Sequence, residues 1–230
     1  MIDRNIFIGL GGSGLNTVAN LKYKIYANQM SGTPYDAMSD NYKFLFCDTD
    51  QADVQKNNEA FRASYEKGTI SLIESAHEFI NLGEVNPMTV YNRAKDKPWE
   101  HRIDIENTVL ESLSPSMANS LRGRALSEGA GAYRLNSRIA FSLKAEEFKN
   151  RLSTKINQLL NVRGAANEQV QLRYWVVSSC NGGTGSGIFM DVLYLVNMIN
   201  WLIINQNILK NMEKMMFMIL RLNIVYQKKT

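Results

Sequence analysis

Two glycine-rich runs constrain this chain more than any other feature. They are Gly9-Leu10-Gly11-Gly12-Ser13-Gly14-Leu15-Asn16 near the start and Asn181-Gly182-Gly183-Thr184-Gly185-Ser186-Gly187 far downstream. Each follows a short apolar run of strand character and opens a segment of helical periodicity. Glycine lets a backbone approach oxygen atoms closely, and a helix N-terminus offers unpaired N–H groups with a partial positive charge. Together these make a phosphate cradle. Two such loops in one chain point to a single polyphosphate gripped from both sides.

The run Asn5-Ile6-Phe7-Ile8-Gly9-Leu10 has no polar alternation, as expected of a strand covered on both faces. Leu15, Val18, Leu21 and Ile25 then recur at helical spacing, and Ser31-Gly32-Thr33-Pro34 stops the helix. A second strand is expected at Lys43-Phe44-Leu45-Phe46-Cys47, ending in Asp48-Thr49-Asp50. Strand, helix and strand with this crossover length form the parallel unit of a doubly wound sheet. From Gln51 to Pro115 the pattern weakens into short helices and loops, consistent with an insertion over the sheet. A long amphipathic helix carries Leu135, Ile139, Leu143, Phe148, Leu152, Ile156 and Leu159 on one face. Leu172 to Ser178 reads as a third strand, and Met215 to Leu220 as a candidate fourth. The expected fold is α/β: a Rossmann-like, mostly parallel sheet with helices on both faces. A nucleotide-binding domain would span residues 1–220, with 51–115 as the insertion and 221–230 as a tail.

Several function classes are disfavoured. The 26 basic residues barely exceed the 22 acidic ones and are scattered, which argues against a nucleic-acid groove. Cys47 and Cys180 give neither a disulfide framework nor metal-ligand spacing; each ends a strand, where a small buried thiol packs well. Their chemistry fits a reducing, cytoplasmic setting. Met1 to Asn5 leads directly into a strand, with no leader pattern. Ile188 to Ile204 is almost wholly apolar but carries Asp191, Asn197 and Asn200, which favours a helix buried between sheet and another layer over a membrane span. His77 and His101 lack ligand-spaced partners and read as surface or packing residues.

Residues 9–14 match G-x-G-x-x-G in the strand-to-helix context that motif requires. An NAD(P)-binding Rossmann oxidoreductase would carry the same loop, with Asp48 placed to bond a ribose. The downstream run is more specific, packing four glycines around Thr184 and Ser186 with no Walker lysine after them.

The first run, with Thr17 and Val18 after it, resembles the first nucleotide loop of FtsZ and its relatives, and Gly182 to Gly187 resembles the tubulin signature loop. Asp48-Thr49-Asp50-Gln51-Ala52 is similar to the acidic loop after the second FtsZ strand, and Gly129-Ala130-Gly131-Ala132 to its γ-phosphate loop. All four stand in the order of the tubulin/FtsZ superfamily over most of residues 5–200, and the chain looks closest to its bacterial tubulin-like members. The resemblance implies a tubulin/FtsZ GTPase-type domain holding GTP or GDP with Mg²⁺. Gly11, Gly12 and Ser13 would meet the α- and β-phosphates, and Asn16 would reach guanine or ribose. Asp48 and Asp50 would stand near the Mg²⁺ shell. Gly129, Ala130, Gly131 and Ala132 would close over the γ-phosphate, with Arg134 as a charge partner. Gly182, Gly183, Thr184, Gly185, Ser186 and Gly187 would wrap the β-phosphate.

The sequence also departs from the family. Asn181 stands where a further glycine is usual, and the stretch before Gly129 is longer than in FtsZ. The family activity is GTP hydrolysis coupled to filament assembly, with a catalytic acidic loop reaching the next subunit. Between Asp191 and Thr230 the sole acidic residue is Glu213, so this chain reads as a truncated or frameshifted copy, or a fragment, expected to bind with little or no hydrolysis by itself. No catalytic residue is assigned. Its expected partners are copies of itself or a full-length tubulin-like relative, with no nucleic acid and no membrane. A nucleotide-independent remnant that caps or poisons such a relative's polymers is the reading from a third class.

Overall fold

β1 (Ile2–Leu10) is fully buried at Ile6, Ile8 and Leu10, because helices cover both sides of the sheet it enters. In chain order follow α1 (Gly11–Gln29), β2 (Tyr42–Asp48), α2 (Ala52–Ser64), β3 (Phe79–Asn81), α3 (Pro87–Asp96), a 3₁₀ turn (Trp99–His101), α4 (Arg134–Leu160) and β4 (Val170–Ser178). A further helix, α5, runs over Gly183–Ile203. The computed structural model describes residues 2–29, 40–64, 71–101, 106–107, 110–111, 126, 134–161, 170–203 and 205. The chain divides into two units, Met1–Val192 and Leu193–Thr230, and the sheet with both glycine loops lies in the first.

Among the described residues, four strands run in the order β3-β2-β1-β4, and every pairing is parallel. On one face, Leu15, Val18 and Ala19 of α1 and Val54 and Phe61 of α2 pack with Phe44, Phe46 and Phe79 from the strands. On the other, α4 lies against β1, β2 and β3 and buries Phe141, Phe148, Leu152 and Ile156. Each fully buried side chain of this size contributes about 1.5–3 kcal/mol through loss of water contact. This is the α/β fold with helices on both faces that the apolar runs implied.

Local chemistry sets the element ends. Asn86 caps α3 by accepting from the Met88 N–H at 2.9 Å, Pro87 occupies the first turn, and Arg93 and Lys95 sit by the carbonyl end. The segment read as helices and loops also contains β3, three residues that pair with Phe46, Cys47 and Asp48. His77 and His101 are exposed, as expected. The thiols differ from expectation: Cys47 is buried, and burial pushes its thiol up, but Cys180 is exposed because it lies past the end of β4.

α5 corrects a second expectation. By length and composition it could cross a membrane, and its apolar run read as buried all round. In the first unit Ile188 and Val192 are buried while Met190 is 72% exposed; in the second, Val196 and Ile199 are buried and Tyr194 and Trp201 exposed. Only one stripe of the helix is covered. Asp191, the carboxylate that argued against lipid, pairs with Arg138 of α4 at 3.1 Å. The candidate strand Met215–Leu220 lies outside the described residues.

Candidate functional site

β1 and β4 are neighbours in register, with Leu10 opposite Ser178. The two glycine runs therefore leave the sheet side by side, at its carboxyl edge. Gly11 has φ +66°, a left-handed conformation open to glycine at little steric cost, and a Cβ placed there would stand 2.8 Å from the Gly185 nitrogen. A Cβ on Gly185 would in turn meet the Leu10 carbonyl oxygen at 2.6 Å and the Ser178 hydroxyl. The loops thus pack backbone against backbone. Much of the glycine pattern is a demand of that packing. Gly182 is different: a Cβ there would meet nothing within 4 Å.

A cavity of about 260 Å³ opens over this junction. Gly11, Gly12 and Ser13 line it from one loop, Gly182 to Gly185 from the other, and Asp48 and Asp50 from the tip of β2. α1 begins at Gly11 and α5 at Gly183, so two helix N-termini with unpaired N–H groups border one small volume. The first turn of α1 carries no acidic side chain to satisfy them internally. The second loop's hydroxyls are already engaged. Thr184 Oγ1 bonds Thr49 Oγ1 at 2.9 Å, and Ser186 donates back to the Gly182 carbonyl. Backbone amides, rather than hydroxyls, are what the second loop presents.

The acidic side is asymmetric. Asp48 is 3% exposed; its Oδ1 accepts from the Thr49 N–H at 2.7 Å, while its Oδ2 is buried without a partner. Burial pushes this carboxyl up to about 6, with the charges of Asp53 and Asp50 adding to the effect against backbone hydrogen bonds that lower it. Asp50 Oδ1 accepts from the Ala52 N–H at 2.8 Å and so starts α2. Asp53 Oδ2 lies 2.5 Å from where a Cβ on Gly12 would be.

No three acidic, histidine or cysteine side chains among the described residues form a metal cage. Mg²⁺ bound with a polyphosphate needs none, since one or two carboxylates and phosphate oxygens complete its shell. The orphaned Asp48 oxygen beside Gly12 fits that arrangement.

Of the residues singled out in the sequence, Gly11, Gly12, Ser13, Asp48, Asp50, Gly182, Gly183, Thr184 and Gly185 share this cavity. Asn16, Ser186 and Gly187 are not among its lining residues. Asn16 Oδ1 accepts from Asn57 Nδ2 at 2.6 Å, and Gly187 packs against the Arg134 carbonyl. Arg134 donates to the Cys180 carbonyl at 3.2 Å, which holds the start of α4 against the second loop. Gly129, Ala130, Gly131 and Ala132 lie outside the described residues.

Sequence reasoning missed four supporting residues. Thr49 ties the β2 tip to Thr184, Asp53 crowds Gly12, Asn57 orients Asn16, and the Ser137 hydroxyl lies 2.9 Å from both the Arg134 and the Gly183 carbonyl oxygens, with one proton shared between them. Asp53 and Asn57 stand four apart on α2 and so share a face, a spacing that could have marked them.

A parallel sheet wrapped by helices, with glycine turns at adjacent strand tips, defines a doubly wound α/β domain. Such domains take ligands beyond the carboxyl ends of their strands. A sequence profile described as tubulin-like matches residues 6–218, and the chain belongs to that tubulin-like family. Among curated proteins and among solved structures, nothing matches.

Proposed function

We propose that the chain binds GTP, or GDP, in the cavity between the two glycine loops. One observation carries this reading: two helix N-termini, packed so closely that Gly11 and Gly185 admit no side chain, border one cavity beside an unpartnered buried carboxylate oxygen. The amides of Gly11, Gly12 and Ser13 face one side of a phosphate chain and those of Gly182 and Gly183 the other. Asn16, oriented by Asn57, stands one turn along α1, where a base or ribose would lie. Asp48, with Asp53 near it, would hold Mg²⁺, which when bound neutralises charge on the phosphate oxygens. Gly129 to Ala132, which precede α4, would close over the γ-phosphate.

The family resemblance extends the proposal to self-association, or association with a full-length tubulin-like relative, in the cytoplasm. GTP hydrolysis coupled to filament assembly is the family activity, and binding is the part of it this site supports.

Calorimetric titration with GTP, ATP and NADH, each with and without Mg²⁺, tests the proposal. Saturable GTP binding that weakens about ten-fold or more without Mg²⁺, alongside no NADH binding, is the expected result. NADH binding without GTP binding would replace the proposal with a dinucleotide site.

A further inference from the structure

α1 and α2 pack against each other, and both begin at the rim of the glycine-loop cavity, which Gly12 and Asp53 line. Asp53 Oδ2 lies 2.5 Å from where a Cβ on Gly12 would stand, so these two residues form a first rung between the helices. Asn16 and Asn57, each four residues further on, form a second rung about 5.4 Å, one helical turn, beyond the first. Asn57 Nδ2 donates to Asn16 Oδ1 at 2.6 Å and to the Asp53 carbonyl at 2.8 Å. Both asparagines are half-buried.

These two bonds fix the polarity of the pair. A backbone carbonyl can only accept, so Asn57 must turn its NH₂ group toward Asp53. That group has two protons, and the second goes to Asn16, which must therefore turn its oxygen toward Asn57. One carbonyl thus sets both amide orientations. Asn16 Nδ2, a donor, and Asn57 Oδ1, an acceptor, are left over, and neither has a partner among the described residues. Neighbouring Asn58 is the contrast. Its Nδ2 donates to the Ile73 carbonyl at 3.1 Å and its Oδ1 accepts from the Ile73 N–H at 2.8 Å, so its amide is spent on holding the chain.

We infer that, with a guanine nucleotide seated in the cavity as proposed above, Asn16 and Asn57 together read the sugar edge of its base. Asn16 Nδ2 donates to ring nitrogen N3, and Asn57 Oδ1 accepts from the 2-amino group. That edge adjoins the glycosidic bond, which suits a pair standing only one helical turn beyond the phosphate cradle. Adenine and guanine both carry the N3 acceptor there, but only guanine adds an N–H donor. Asn16 therefore accepts either purine, and Asn57 is the residue that selects guanine. A base without the 2-amino group leaves the Asn57 oxygen facing a C–H, and a site built to pair an N–H rejects an analogue that lacks it.

Inosine triphosphate differs from GTP only in lacking that amino group, so the two nucleotides isolate the contact. Calorimetric titration of the full chain with each, in the presence of Mg²⁺, is expected to show inosine triphosphate binding about ten-fold or more weaker than GTP. Asn57→Leu keeps a side chain of similar size without its amide. It is expected to weaken GTP about ten-fold or more and to bring the ratio of the two affinities to about one. A purely structural Asn57 would weaken both nucleotides alike and leave the wild-type ratio in place, and that result would overturn the inference. So would equal affinities of the wild type for the two nucleotides, a measurement that depends on no variant's folding. Binding of neither nucleotide by the folded wild type is a different failure, since it removes the nucleotide reading itself and this inference with it.

Discussion

Gly185→Val is expected to destabilise the first unit by about 3 kcal/mol or more and to abolish GTP binding with it. The added Cβ would stand 2.6 Å from the Leu10 carbonyl oxygen and closer still to the Ser178 hydroxyl. The serine could rotate away, but Leu10 is backbone inside the β1–β4 ladder and cannot move without opening that pairing. The side chain must therefore push the start of α5 off the tip of β1. That movement breaks the Thr49–Thr184 bond and separates the two helix N-termini. For a unit of this size the melting temperature should fall by about 6–12 °C. Calorimetric melting checks the stability effect, and an unchanged melting temperature would show that the two loops do not pack as described.

Asp48→Asn is expected to act in opposite directions on stability and on binding. The Asp48 carboxyl is held up at about 6 by burial, so the ionised form is disfavoured in the folded chain relative to the unfolded one. Well below pH 4 the carboxyl is protonated in both states and the penalty vanishes. The penalty grows as pH rises from about 4 to about 6 and is complete above that. A two-unit shift in a group so well buried corresponds to about 3 kcal/mol. Asparagine removes the charge and keeps the bond from the Thr49 N–H, but its amide gains an unpaired N–H, so a net stabilisation of about 2 kcal/mol at pH 7 is expected. Urea unfolding at about pH 4 and pH 7 reads it: the wild type should lose stability over that interval relative to Asp48→Asn. Mg²⁺-dependent GTP affinity should fall about ten-fold or more in the same variant. Equal stability of both proteins at pH 7 would contradict this electrostatic account.

The sheet was legible because its strands are continuous apolar runs. Ile6, Ile8 and Leu10 face one layer of helices and Phe7 the other, so both sets are apolar and the run declares a doubly covered strand. β3 was not legible, since Phe79, Ile80 and Asn81 are too few to show any period. α5 misled in the other direction: an apolar surround reads as burial, yet Met190 faces solvent. Composition reports what a surface would prefer, not whether a partner covers it.

At the site, each glycine run lies between a strand and a helix, and part of the glycine pattern serves the packing of one run on the other. Gly11 and Gly185 are required by each other, a contact between residues 11 and 185 that no local pattern can reveal. The bonds of Thr49 to Thr184 and of Asn57 to Asn16 are hidden for the same reason. Lys22 is 2% exposed in a helix whose sequence offers no sign of it, because Glu78 lies on a different element. Long-range pairing, not local propensity, decides which polar residues are buried.

Gly182 separates packing from ligand binding most directly, because a Cβ there would stand in open space on the cavity wall with nothing within 4 Å. The measurement is GTP affinity and melting temperature of Gly182→Leu beside the wild type. If the loop amides hold a polyphosphate, GTP affinity falls about 10–100-fold, the loss of one or two charge-assisted hydrogen bonds, while the melting temperature stays within about 2 °C. Wild-type GTP affinity in a variant that keeps its fold would contradict the phosphate-cradling role of these loops.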